Sequence, residues 1–98
     1  MQHTTDMPYI REAKREQIES ELDQLIIKFL ETDEGGTAGR LNYVISSMVG
    51  AILKNDDRTS YARINELIGV LESSKLELYR RVAAPYEDDK SRLNGDVY

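Results

Sequence analysis

Apolar and polar positions along the chain alternate with the period of helices. After a nearly continuous charged run from Arg11 to Gln17, apolar residues recur three and four apart at Ile18, Leu22, Leu25, Ile26, Phe29 and Leu30. That spacing lines one side of a 3.6-residue helix, and good helix formers precede it, so a first helix is predicted from Arg11 to Glu31. Ile27 points away from the stripe. The stretch from Thr32 to Gly39 then breaks the pattern, because Gly35, Gly36 and Gly39 suit a turn and not a helix interior.

Between Leu41 and Leu53 no side chain is charged, although 32% of the residues in the chain are. On a second helix predicted from Gly39 or Arg40 to Lys54, Leu41, Val44, Ile45, Met48 and Ile52 share one face. Tyr43, Ser46, Ser47 and Gly50 fall on the opposite face, which is small and uncharged. A helix apolar on one side and uncharged on the other is surrounded on most sides, by a compact bundle or by a second subunit. Small residues on that face allow close helix approach and Tyr43 fills the gap, so Tyr43, Ser46, Ser47 and Gly50, with Ile27, are the expected oligomer contacts.

Asn55 to Ser60 form a polar turn in which Thr59 or Ser60 can cap the next helix. The third helix is predicted from Ser60 to Ala84. Tyr61, Ile64, Ile68, Leu71, Lys75, Leu78 and Val82 alternate three and four apart, the spacing of a heptad seam. Lys75 is the one charged member, read as packing its stem while its ammonium reaches the edge or a carboxylate. Pro85 stops or kinks this helix near Ala84. Tyr86, Lys90 and Leu93 then carry a short fourth helix that ends at Asn94-Gly95. The expected fold is all-α, a small three-helix bundle with a short fourth C-terminal helix after Pro85, associating as a homodimer or higher oligomer. A single domain covers residues 1–98, with a polar lead-in over 1–10 and a short helix and tail over 85–98.

Composition narrows the functions. The chain has no cysteine, which excludes disulfides and thiolate chemistry and fits a reducing cytoplasm. The N-terminus lacks the apolar core of a leader, and no apolar run approaches the ~18 residues of a membrane span. A net charge of −5 argues against duplex nucleic acid, whose affinity for proteins comes mainly from Lys and Arg on phosphates.

Candidate chemistry is sparse. His3 is the only histidine and offers at most an incidental metal contact. The acidic pairs Glu16 with Glu19 and Glu31 with Glu34 lie one turn apart, as in all-helical nucleotide pyrophosphohydrolases of the MazG type. The second helix, which would have to carry the complementary acids, has none. The glycine-rich turn lacks the lysine and spacing of a phosphate-binding loop. No catalytic residue, metal ligand or cofactor is therefore expected. What remains is a cluster near the end of the third helix: Lys75, Tyr79, Arg80, Arg81 and Tyr86. Tyrosine faces stack on bases and arginine forks hold phosphates, so these types suit an anionic nucleotide. They equally suit a helix-end lock in which the arginines pair with Glu77 and Asp88. The tail Asp96-Val97-Tyr98 is expected to pack back on the helices or on a neighbouring subunit, or to serve as a linear peptide.

The runs Ile64 to Glu72, Lys75-Leu76-Glu77, Tyr79-Arg80-Arg81-Val82, Ala84-Pro85-Tyr86-Glu87-Asp88, Lys90 and Asn94 to Tyr98, with Pro8-Tyr9-Ile10 and Leu41 to Ile45, resemble a family of small bacterial and phage proteins. That family has no assigned activity. The run Arg80 to Glu87 is also similar to the end of small helical phage proteins that sequester cyclic dinucleotides and so blunt CBASS immunity. This likeness implies a non-catalytic homo-oligomer that binds a cyclic nucleotide between subunits. The expectation is thus a sequestering protein, with a structural or protein-interaction module as the alternative and a metal-dependent pyrophosphohydrolase third.

Overall fold

The computed structural model describes residues 10–32 and 35–98. His3, Pro8-Tyr9 and Glu34 lie outside the described residues, so the expectations placed on them are not addressed by it. The fold is all-α, with no strand among the described residues. Helix α1 spans Glu12–Glu31, α2 Gly36–Asn55 and α3 Tyr61–Leu78; a π-helical turn over Tyr79–Ala83 follows, and α4 spans Ala84–Asn94.

Local chemistry sets most of these boundaries. Thr32 closes α1: its backbone leaves the helix, its N–H donates to the Phe29 carbonyl at 3.2 Å, and its hydroxyl donates to that of Lys28 at 2.9 Å. Gly35 and Gly36 then make the turn with φ of +86° and +71°, a region open to glycine and strained for other residues. Helix α2 begins at Gly36, ahead of the predicted Gly39 or Arg40, and takes Thr37, Ala38 and Gly39 into its first turn.

Ser60 caps α3, accepting the Arg63 N–H on its hydroxyl at 3.1 Å. The Arg63 guanidinium reaches back to grip Asp56 through two nitrogens at 3.0 and 3.4 Å, and also donates to Glu66 at 2.8 Å. Those two carboxylates hold the guanidinium above its ordinary pKa, the Glu66 hydrogen bond first and the Asp56 bond and charge next. Asp56 and Arg63 thereby tie the turn before α3 to its first turns.

Pro85 does not end the helix. It lacks the N–H that would bond the Arg81 carbonyl in an α-helix, and the chain meets this by widening one turn. Ala84 donates to the Tyr79 carbonyl five residues back, and Pro85 falls in the first turn of α4, where a missing N–H costs little. Gly95 stops α4 at φ +91° and ψ 155°, donating to the Ser91 carbonyl at 2.8 Å. That conformation is essentially restricted to glycine.

By internal contacts the chain falls into two units, Met1–Ser46 and Ser47–Tyr98. No described side chain is buried, so neither unit forms a core by itself. Ile18, Leu22, Leu25 and Ile26 of α1 are exposed, as are Leu41, Ile45 and Met48 of α2 and Ile64, Ile68, Leu71 and Leu78 of α3. Single exposed apolar residues are ordinary, but continuous stripes of them mark surfaces that something covers. No helix among the described residues is long and apolar enough to cross a membrane.

Candidate functional site

The π turn places the candidate cluster. Tyr79 opens it, and its hydroxyl donates to Glu87 Oε1 at 3.0 Å. This hydrogen bond is the main reason the Tyr79 phenol is raised above its ordinary pKa; the charge of Glu87, partial desolvation and the charge of Asp88 act in the same direction. Tyr86, in the first turn of α4, has the Lys90 ammonium 5.5 Å from its ring centroid, within range of a cation–π contact. Tyr79, Tyr86, Glu87, Lys90, Ser91 and Asn94 line an open cavity of about 630 Å³ together with residues 95–98. Within the tail, the Tyr98 N–H donates to Asp96 Oδ1 at 3.0 Å. Val97 and Tyr98 border the cavity with their side chains exposed and do not pack back onto the helices of the chain.

The cationic candidates stand elsewhere. Arg80 Nη2 and Arg81 Nη1 both donate to Glu77 Oε1, each at 3.1 Å. Lys75 is not buried in a seam: its ammonium lies 3.2 Å from Glu72 Oε2, on an exposed side chain. All three are ion pairs within one helix, and exposed pairs of this kind stabilise little. None of these cations lines the cavity. Of the five candidates, then, the structure brings together Tyr79 and Tyr86, and adds Glu87 and Lys90. Glu87 is taken by Tyr79, and the arginines meet Glu77, not the tail carboxylates. Three tyrosines, two carboxylates (Glu87 and Asp96) and one ammonium line this cavity and make it poorly suited to an anion by itself. At the π turn, two guanidinium groups share one carboxylate oxygen, which leaves one positive charge over.

The candidate oligomer contacts are accessible. Tyr43, Ser46 and Ser47 of α2 are exposed and Gly50 is half-buried; Ile27 of α1 is exposed. Ser46 donates to Asn42 Oδ1 at 3.1 Å. A Cβ built on Gly50 would meet nothing within 4 Å, so the chain itself gives no reason for a glycine there.

A cleft of about 490 Å³ in the first unit has no counterpart in the sequence reading. Leu25, Phe29, Tyr43 and Val44 supply its apolar wall, with Lys28 and Arg40 among its other lining residues. The Arg40 guanidinium sits 4.7 Å from the Phe29 ring centroid and donates to the Phe29 carbonyl at 3.4 Å. Its partners lie on either side of the glycine turn, where helical spacing carries no signal. Among the described residues no group of three His, Cys, Asp or Glu side chains is placed to hold a metal ion.

A family model described as Domain of unknown function (DUF6899) matches residues 7–97. No curated protein and no solved structure matches the chain.

Proposed function

The chain belongs to the family described as Domain of unknown function (DUF6899), and from its exposed apolar helices we propose that it is a non-catalytic helical module whose core is completed by further copies of itself. One observation carries this reading: every described side chain is at least partly accessible, including the apolar stripes of all three long helices. Helices gain most of their stability from burying such stripes. The uncharged face of α2, with Gly50 open to any approaching helix, is the surface through which a second copy reaches them.

A second reading joins this one at the π turn. Arg80 and Arg81 share a single carboxylate oxygen, so one positive charge is left for an anionic ligand. Association would bring pairs of these arginines from two subunits to bear on one phosphate-containing molecule, such as a cyclic nucleotide. The likeness of Arg80 to Glu87 to the phage sequestering proteins supports this version. Native mass spectrometry with a panel of cyclic di- and trinucleotides tests both readings. A ligand retained at a fixed ratio to subunits, and lost in Arg80→Ala/Arg81→Ala, supports sequestration. An oligomer that retains nothing leaves the self-associating module alone, and a monomer contradicts both.

A further inference from the structure

Tyr61, Ile64, Ile68, Leu71, Lys75 and Leu78 alternate three and four apart, and all lie within α3, Tyr61–Leu78. The five that are not lysine are exposed. Such an alternation keeps one narrow stripe turned toward a single partner helix. The stripe ends where α3 ends, because the π turn that begins at Tyr79 rotates whatever follows out of line with it. A partner helix must therefore match a stripe of 18 residues, about 27 Å long.

All three long helices of the chain offer a stripe with this spacing. Those of α1, from Ile18 through Leu22 and Leu25 to Phe29, and of α2, from Leu41 through Ile45 and Met48 to Ile52, are short, and the last member of the α1 stripe already carries Arg40 over its ring. That of α3 matches α3 itself in length and spacing. The partner it fits is a second copy of the same helix.

Lys75 decides the direction. In a parallel pair, equivalent seam positions face each other, so Lys75 would meet the partner's Lys75 across an apolar seam, two like charges with no anion between them. In an antiparallel pair, Tyr61 faces the partner's Leu78, Ile64 the partner's Lys75 and Ile68 the partner's Leu71, so that α3 overlaps along its whole length. The stem of Lys75 then packs on the partner's Ile64, while its ammonium stays at the edge of the seam on Glu72, its neighbour at 3.2 Å. We propose that α3 pairs antiparallel with α3 of a second copy in this register, an inference that rests on the self-association proposed above.

The chain has no cysteine, so each introduced thiol is the only one. Tyr61→Cys and Leu78→Cys, co-expressed with a tag on one of them and mildly oxidised, are expected to form the mixed disulfide about ten-fold or more in excess over either homodisulfide, because only opposed positions come within bridging distance. Ile64→Cys with Lys75→Cys repeats the readout should the first pair fail to fold. Homodisulfides of Leu78→Cys as abundant as the mixed species would overturn the antiparallel direction. Absence of any α3 disulfide in a chain that sediments as an oligomer would overturn α3 as the interface while leaving self-association intact. A monomeric unsubstituted chain would overturn self-association itself, and the pairing with it.

Discussion

Tyr79 and Glu87 stand eight residues apart and are joined by a hydrogen bond of 3.0 Å. In an unbroken α-helix residues at that separation are about 80° out of phase around the axis. The π turn between them takes up one extra residue, which reduces the offset to about 20° and puts both on one side of the helix. The pair therefore reports on the π turn, and Pro85 is the residue that requires that turn.

Titration reads the pair directly. The fold favours the neutral phenol of Tyr79, whose pKa is raised by the Glu87 hydrogen bond. Its contribution to stability is whole below about pH 10, the value for a free phenol, and is lost as the pH climbs through the raised value. Followed by tyrosinate absorbance or by the ring resonance of Tyr79, Glu87→Gln is expected to move the ionisation of Tyr79 downward. Tyr79→Phe is expected to remove the component that ionises above the ordinary phenol value.

Pro85→Ala restores the N–H that an α-helix needs at that position. The expected result is a regular α-helix through residues 79–83, with Tyr79 and Glu87 rotated apart. In that variant the phenol of Tyr79 ionises at lower pH, as in Glu87→Gln. An unchanged titration would mean that something other than Pro85 holds the wide turn.

Signals local in the chain were legible, and those made by juxtaposition were not. The three helices, the Ser60 cap and the Gly95 stop follow from three-and-four spacing and from residues that act on neighbouring backbone groups. Three glycines read as one turn, which puts the start of α2 at Gly39 or Arg40, whereas Gly35 and Gly36 take positive φ and Gly39 lies inside α2. Pro85 reads as a stop or a kink, and the second of these holds: the last helix bends and continues through a single π turn. The Tyr79–Glu87 pair was hidden because eight is not a contact separation in an α-helix. Lys75–Glu72 and the pairing of Arg80 and Arg81 with Glu77 follow ordinary helical spacing. Glu87 takes the tyrosine, and the Arg40–Phe29 contact joins residues on either side of the glycine turn.

Ser60→Ala removes the hydroxyl that accepts the Arg63 N–H. The expected loss is about 1 kcal/mol of helix stability, with Ser60→Asp restoring most of it. Thermal or urea unfolding followed by circular dichroism measures this, and an unchanged midpoint would show that the cap is replaced by water or by Thr59.

Gly50 has open space where a side chain would go, so a larger residue there meets nothing in its own chain. Gly50→Glu is expected to retain helicity while weakening self-association about ten-fold or more, roughly 1.4 kcal/mol, through a charge placed on an uncharged contact. Gly50→Ala serves as the mild control. Light scattering behind size exclusion gives the comparison, and an undiminished mass for Gly50→Glu would remove this face of α2 from the interface.

Sedimentation equilibrium of the unsubstituted protein over a range of concentrations tests the central claim most directly. Copies that complete one another's cores predict a mass that is a whole multiple of the 11.2 kDa chain, with helicity and mass falling together on dilution. A stable, fully helical species of 11.2 kDa at every concentration would contradict it.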